Sequence, residues 1–469
     1  MENFKIAFND YEPKYMQVAN NIKRLISAKE IAGGEQLPTI RGLAKLLEVN
    51  NDTIISAYKK LVSEGYAEQK VGAGTFVKKR EVLHGFKREY SKEIKAAANS
   101  DKEIIDFTGE TSKEVIFPIE GFKEVINKVL DRDGADALIT QEPLGYTELR
   151  KTINNVFWDN KLNLDDVLIV SGAQQGIDIA SKAILNIGDN VIVESPTYAG
   201  ALSVFKWRRA NTFEVELEDD GINITEFEKV LKRHKIKLFY TMSYFHNPTG
   251  ISYSREKKKK ILELAEKYDF YIIEDDYLSE LIYDDSIVHE PFKLLDNNDR
   301  VVYIKSFSKI FLPGIRLGYI VSPSNFNEAM QNSKINTDIA TSTLMQRALE
   351  MYISDSYWKG YIYSLKEEYK KRYILMKNLI EKELNEFVEF NEPYGGLSFY
   401  LKIKDESISS KVLFSKLKEK NVFITPGAVF YLGSSVGDRY FRIGFSQTKD
   451  QKIIDGIKII KEELEKWHM

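Results

Sequence analysis

The sequence predicts a two-part chain: a small head of three helices and a β-hairpin, then a large α/β domain that ends in a smaller α+β segment. Three observations predict it. Apolar residues recur at helical spacing in three short runs before residue 65. Two short β patterns separated by glycines follow. From about residue 104, short Val/Ile-rich runs alternate with helical ones.

In the head, Val18, Ile22, Leu25 and Ile26 form the first helical stripe, ahead of Gly33-Gly34. Pro38 precedes a second helix with Ile40, Leu43, Leu46 and Leu47 on one face. A third starts near Asn51–Thr53, carries Ile54, Tyr58, Leu61 and Val62, and stops at Gly65. Strand patterns at 66–69 and 75–77 flank a turn with Gly72 and Gly74. This order reads as a winged helix-turn-helix over residues 1–80. Residues 81–103 are rich in Lys, Glu and Ala without a sustained apolar stripe, and read as a linker with some helical character.

The domain over 104–469 has predicted strands at 167–170, 190–193, 237–241, 270–273, 301–304 and 317–321. Their near-continuous apolar content suits a largely parallel sheet buried on both faces. Past about residue 330 a long helical stretch leads to strands near 397–403, 422–425 and 440–445.

Composition narrows the function classes. The 469 residues contain no cysteine, which excludes disulfides and thiolate metal sites and fits a reducing compartment. The five histidines are scattered without metal-ligand spacing. No apolar run reaches the roughly 20 residues that span a bilayer. The N-terminus has no apolar signal segment, so a cytoplasmic protein without membrane contact is expected. The net charge of −3 is uneven: residues 1–80 carry 13 Lys+Arg against 9 Asp+Glu. A basic head on an acidic body points to nucleic-acid contact through the head.

Residues 37–77 resemble the GntR-type winged helix. The likeness rests on Leu37-Pro38-Thr39, Arg41, Leu43-Ala44, Thr53, Ala57-Tyr58, Leu61, Glu64-Gly65 and Gly72-x-Gly74-Thr75-Phe76-Val77. Thr39 and Arg41, at the start of the second helix, are placed to reach a phosphate. Asn50, Asn51 and Thr53 stand at the N-terminal end of the third helix, the part that enters a major groove. Asn can pair with the adenine edge there. Gly72 and Gly74 let the wing turn close to a backbone. Heads of this type often start the third helix with a basic residue; here Asn50-Asn51-Asp52 stands instead. Asp52 repels phosphate, so it either changes base preference or caps the helix. A winged helix used only for protein contact is the competing reading.

Residues 104–469 resemble the fold-type I enzymes that use pyridoxal 5'-phosphate (PLP), the aminotransferase superfamily. KSFSKIFLPGIRLGY supplies Lys309, whose amine would hold the PLP aldehyde covalently once deprotonated. Arg316, with the hydroxyls of Ser306 and Ser308, would take the phosphate. Asp275 in IIEDDY resembles the carboxylate that pairs with the pyridine nitrogen, a role Asp276 could exchange with it; Tyr277 would lie near the phenolic oxygen. Asn247 in HNPTG suits that same oxygen, and His246 beside it reads as structural. Ala173 and Gln174 in SGAQQG would cradle phosphate at a helix N-terminus. Tyr198 in SPTY would stack on the ring. Arg442 in YFRIGFS resembles the arginine that grips a substrate carboxylate. Lys257–Lys260 read as a solvated helix face.

A GntR-type head on an aminotransferase-like body is the arrangement of the MocR/GabR-type regulators. The resemblance implies a homodimer with heads exchanged head-to-tail, binding of double-stranded promoter DNA, and sensing of a small amine, an amino acid or PLP itself. Ala199-Gly200-Ala201 follow Tyr198, with no second arginine close by, which favours an α-amino acid over a longer ω-amino acid. The alternatives are a working aminotransferase and a PLP fold kept only as a dimerisation scaffold.

Overall fold

The computed structural model describes the chain apart from residues 1–3, 7, 9–12, 28–30, 32–33, 64–65, 71–73, 78–80, 100–102, 110–117, 140–141, 285, 356, 434 and 468–469. The chain forms two compact units, one from Met1–Lys102 and one from Glu103–Leu432 with Val436–Met469.

In the first unit, helices α1 (Lys14–Ser27), α2 (Ile40–Leu47) and α3 (Asn51–Ser63) enclose one core. Val18, Ile22 and Leu25 meet Leu43 and Leu47, and Ile54, Tyr58 and Leu61 complete it. Each Leu or Ile buried there contributes roughly 1.5–3 kcal/mol. Strands β1 (Ala67–Lys70) and β2 (Gly74–Val77) form the wing as an antiparallel pair. The segment before α2 adds a third edge, with Leu37 N donating to Thr75 O and Val77 N to Glu35 O, each at 2.8 Å. Gly74 sits at φ +114°, a conformation that favours glycine. The stretch read as a linker holds one 18-residue helix, α4 (Glu81–Ala98).

The second unit is built on an eight-stranded sheet. Strand β3 (Ile105–Asp106) lies outside it. Its members are β4 (Val167–Val170), β5 (Asn190–Ser195), β6 (Asn211–Glu218), β7 (Gly221–Ile222), β8 (Ile236–Thr241), β9 (Tyr271–Asp276), β10 (Val301–Ser306) and β11 (Gly318–Val321). Their order is β4-β11-β10-β9-β8-β5-β6-β7. The run β10-β9-β8-β5-β6 is parallel, β11 is antiparallel to both neighbours, and β7 is antiparallel to β6. Strands β6 and β7 are absent from the sequence-based expectation. The reason is legible in NTFEVELE: β6 lies next to the sheet edge, and Glu214, Glu216 and Glu218 interrupt its apolar content.

The C-terminal segment carries β12 (Val388–Phe390), β13 (Ser398–Ile403), β14 (Val422–Phe423), β15 (Thr425–Pro426) and β16 (Tyr440–Gly444). The single strand expected at 422–425 serves two sheets: β14 pairs with β3, and β15 with β16.

One expectation is corrected. Lys258, placed on a solvated face by its neighbours, is buried. Its Nζ donates to Tyr244 Oη and Glu290 O, each at 2.8 Å, and lies 4.1 Å from the Tyr244 ring centroid. Burial pulls its pKa down to about 8, against the pull of Glu274 and Glu290. A lysine run shows no signal for this, because helix Arg255–Tyr268 turns one of its members inward against the loop holding Glu290.

Candidate functional site

The parallel strands end on one rim of the large sheet, where open α/β sheets take their ligands. A cleft there holds about 630 Å³ of space, part of it open to solvent. The turn after β4 brings Ala173 and Gln174, at the start of the helix Ala173–Ile184, to its wall. Asn247 enters from the turn after β8, and Asp275 and Tyr277 from the end of β9. Ser306, Ser308 and Lys309 follow β10, and Arg316 and Tyr198 complete the set of expected residues. All ten residues expected to face the cofactor line this one cleft. Met242 lines it too. Nothing in the sequence distinguishes that side chain from the apolar core of β8.

At the end of the cleft near β4, Arg316 donates from Nη1 to Ser308 Oγ at 3.3 Å and from Nη2 to Ser171 O at 3.1 Å. Gly172 has φ +91°, and a Cβ there would come 3.0 Å from Arg316 Nη2. The first N–H groups of the following helix lack intrahelical acceptors. Together these form an anion cradle.

At the opposite end, Asp275 and Asp276 alternate across β9. Asp276 is consumed behind the sheet. Its Oδ1 lies 3.1 Å from Lys305 Nζ, and its Oδ2 meets Tyr303 Oη at 2.7 Å and His289 Nε2 at 3.0 Å. Burial alone would raise its pKa, but Lys305 and His289 hold it well below the ordinary carboxylate range. Asp275 takes the cleft side. Its Oδ2 accepts from Tyr240 Oη at 2.8 Å, while its buried Oδ1 accepts nothing from the described residues. Burial pushes Asp275 up to about 7, with the Tyr240 hydrogen bond acting the other way.

Between these ends, Tyr198 Oη donates to Gln174 Oε1 at 3.1 Å, and Gln174 Nε2 to Gly200 O at 3.1 Å. Tyr277 Oη donates to Phe245 O at 3.0 Å. Arg442, on β16, is outside the cleft lining and reaches it through Asn247, donating from Nη1 to Asn247 Oδ1 at 2.7 Å. Its Nη2 donates to Thr108 O at 2.7 Å, and its guanidinium lies 5.3 Å from the Phe430 ring centroid. His246 packs as a buried structural group, 2.8 Å from Thr249 Oγ1 and 3.0 Å from Glu194 Oε2.

PLP fits this arrangement on two observations. At Gly172, whose φ of +91° favours glycine, a Cβ would press on Arg316, and the cradle is lined by that guanidinium, as a phosphate requires. The buried Asp275 Oδ1 lacks a donor where a protonated ring nitrogen would supply one.

In the head, Thr39 caps α2, accepting from Gly42 N at 3.1 Å and keeping its hydroxyl hydrogen. Arg41 is exposed on the first turn of α2. The cap of α3 is Asn50 rather than Asp52: Asn50 Oδ1 accepts from Thr53 N at 2.8 Å and from Thr53 Oγ1 at 2.6 Å. Asn51 and Asp52 are exposed beside it. Gly74 opens β2, and Gly72 lies outside the described residues. Among the described residues, no group of His, Asp or Glu is placed to hold a metal, and no helix is long and apolar enough to cross a membrane.

Comparison with known proteins agrees with both halves. Residues 14–77 match the profile of the bacterial regulatory proteins, gntR family, and residues 116–460 match aminotransferase class I and II. The chain is 30% identical to the uncharacterized HTH-type transcriptional regulator YdfD of Bacillus subtilis, over 95% of each protein. It is 32% identical to aromatic-amino-acid aminotransferase 1 of Thermococcus litoralis, over 80% of this chain and 91% of that one. The Pyrococcus horikoshii kynurenine aminotransferase, solved in complex with PMP, superposes with a TM-score of 0.76 at 31% identity, covering 81% of this chain and 95% of that one. The chain therefore belongs to the PLP-dependent class I and II aminotransferase family, in the MocR/GabR-type branch that carries a gntR-family head.

Proposed function

We propose that this protein is a PLP-dependent transcription regulator that binds promoter DNA through its head and senses a small amino acid or amine through the cleft. The observation that carries this reading is the coexistence, on one chain, of a capped α3 presenting Asn51 and Asp52 to solvent and a cleft lined by all ten expected cofactor-facing residues. The full-length similarity to an HTH-type regulator supports it. In this reading the chain works in the cytoplasm as a homodimer, the commonest assembly of soluble oligomers.

When bound, PLP supplies an aldehyde that captures amines and a ring that withdraws electrons. Lys309 would hold that aldehyde, and a ligand amine would compete with it for the same place. Arg316, Ser306, Ser308 and the N–H groups of Ala173 and Gln174 would hold the phosphate. Asp275 would pair with the ring nitrogen, Tyr198 would stack on the ring, and Asn247 and Tyr277 would serve its phenolic oxygen. Arg442 takes the ligand carboxylate. A carboxylate that draws Arg442 from Asn247 changes how the C-terminal segment is held against the large sheet, where Thr197 N also donates to Phe430 O at 3.0 Å. Ligand binding then has the differential contacts that a two-state response needs. PLP itself remains the alternative effector.

A DNA-shift assay on the gene's own upstream region, with and without PLP and a panel of amino acids, tests the reading. The expected result is a ligand-dependent change in affinity that requires Lys309. Light scattering of the purified protein tests the homodimer. The second reading, a working aminotransferase, draws on the same complete cleft and on the 32% identical aminotransferase. Formation of a keto acid over many turnovers, with no specific DNA binding, would favour it.

A further inference from the structure

Beyond the cleft wall, one set of side chains holds the phosphate cradle from behind. Asp338 follows the helix Asn327–Ile335. Its Oδ2 accepts from Gln175 Nε2 at 2.8 Å and from Ser171 Oγ at 3.3 Å. Its Oδ1 pairs with the ammonium of Lys334, a lysine with no exposed surface. Gln175 in turn accepts from Ser171 N through Oε1 at 2.6 Å. Ser171 O is the acceptor that steadies Arg316 Nη2, at 3.1 Å. Every polar group of Ser171 is thus engaged: the N–H by Gln175, the hydroxyl by Asp338 and the carbonyl by Arg316. The next residue is Gly172, at φ +91°. A rotation of Ser171 would swing this turn and the first N–H groups of the helix that begins at Ala173.

We infer that Asp338 is a positioning residue for the cofactor phosphate, acting through Gln175 and Ser171 to hold the Ser171-Gly172-Ala173 turn and the Arg316 guanidinium toward one anion. The inference rests on the PLP assignment made above. Charge explains why a buried lysine pairs with the half-buried Asp338. A lone carboxylate behind a phosphate cradle would repel the phosphate. Lys334 cancels that charge and leaves Asp338 its accepting oxygens. Removing Asp338 alone would strand a buried ammonium, so the pair has to be replaced together.

The test compares two ligands on the full-length chain stripped of cofactor: PLP, and pyridoxal, which has the ring and aldehyde but no phosphate. Absorbance titration gives both affinities. The variants are Gln175→Leu, which leaves the Lys334–Asp338 pair intact, and the double replacement Lys334→Met with Asp338→Leu. Each should reduce the preference for PLP over pyridoxal by roughly tenfold, the scale of one lost charge-assisted hydrogen bond, with pyridoxal affinity held within about twofold. Arg316→Ala, a direct partner, marks the full loss of preference. A merely structural role would lower both affinities together. An unchanged ratio in both variants, whether the separate affinities fall or not, overturns the inference. A wild-type chain that binds PLP no better than pyridoxal overturns the phosphate cradle as well, and with it the positioning role.

Discussion

Arg442 donates to Asn247 across 195 positions of sequence, Nη1 to Oδ1 at 2.7 Å. This contact orients the amide. Its oxygen is engaged by the guanidinium, which leaves the amide nitrogen as the group able to donate into the cleft. The residue proposed to take a carboxylate and the one proposed to face the ring are therefore mechanically one unit. Arg442→Ala should keep PLP and DNA binding but lose the response to carboxylate ligands by about tenfold or more, the scale of a lost charge-assisted pair. It should also shift the absorption band of bound PLP, because Asn247 loses its orienting partner. Titrating amino acids against the holo-protein, with the spectrum and DNA affinity followed together, checks both. A variant that responds like wild type, or a wild type in which PLP alone produces the whole change, removes amino-acid sensing.

Lys309 is the only lysine lining the cleft among the described residues. Purified protein should be yellow, and borohydride should fix PLP to it irreversibly. Lys309→Ala should abolish the fixed adduct and the amine response while the head still binds DNA. Mass spectrometry of the reduced protein locates the modified residue. An adduct that survives in Lys309→Ala would move the assignment to another amine.

The sequence made the cleft legible because its chemistry sits in short contiguous words. Lys309, Arg316, Asp275 and Asn247 each stand in a strand end or in the turn beside one, next to residues of characteristic type. What stayed hidden depends on contacts between distant segments. Asp338 meets Ser171 only because the helix Asn327–Ile335 packs on the helix Ala173–Ile184. Tyr240 supports Asp275 from the neighbouring strand β8. Asp275 and Asp276 were interchangeable in sequence, and strand alternation separates them. In the fold, the glutamates of β6 mask its apolar pattern, and nothing in a run of four lysines marks Lys258 as the inward one.

Asp275 makes the cofactor-free protein sensitive to pH. Its carboxyl is pushed up to about 7 by burial, against about 3.9 when unfolded. Between those values the folded chain holds a proton that the unfolded chain releases, so the stability this group contributes is complete below about pH 4 and is lost as pH rises through 7. The loss by pH 7 is a few kcal/mol, at about 1.4 kcal/mol per unit. Asp275→Asn should flatten this dependence and raise the melting temperature of the cofactor-free protein near pH 7, while weakening PLP binding. Thermal melts from pH 4.5 to 7.5 decide it. A cofactor-free wild type whose melting temperature shows no larger fall than Asp275→Asn over that range would place the proton elsewhere.

The head separates helix capping from DNA reading. Asn50 accepts two hydrogen bonds from Thr53, so its first duty is to the end of α3. Asn50→Ala should destabilise the protein by about 1 kcal/mol, the usual scale for a lost cap, and weaken all DNA sequences alike. Arg41 is exposed on α2 and has the reach of a phosphate contact. Arg41→Ala should lower affinity for promoter and random duplexes together and reduce the salt slope by about one ion. Asn51 is exposed beside the cap and has no such duty. Asn51→Ala should leave stability and salt slope unchanged but relax discrimination at one position of the site by roughly 1–3 kcal/mol. Asp52, the acidic neighbour of Asn51, repels phosphate and can accept hydrogen bonds only from base donors such as the cytosine amine. Binding to a set of single-base variants of the promoter site over a salt series separates the three effects. If Asn51→Ala loses affinity equally for every sequence, or if Arg41→Ala leaves the slope unchanged, these roles are assigned to the wrong side chains.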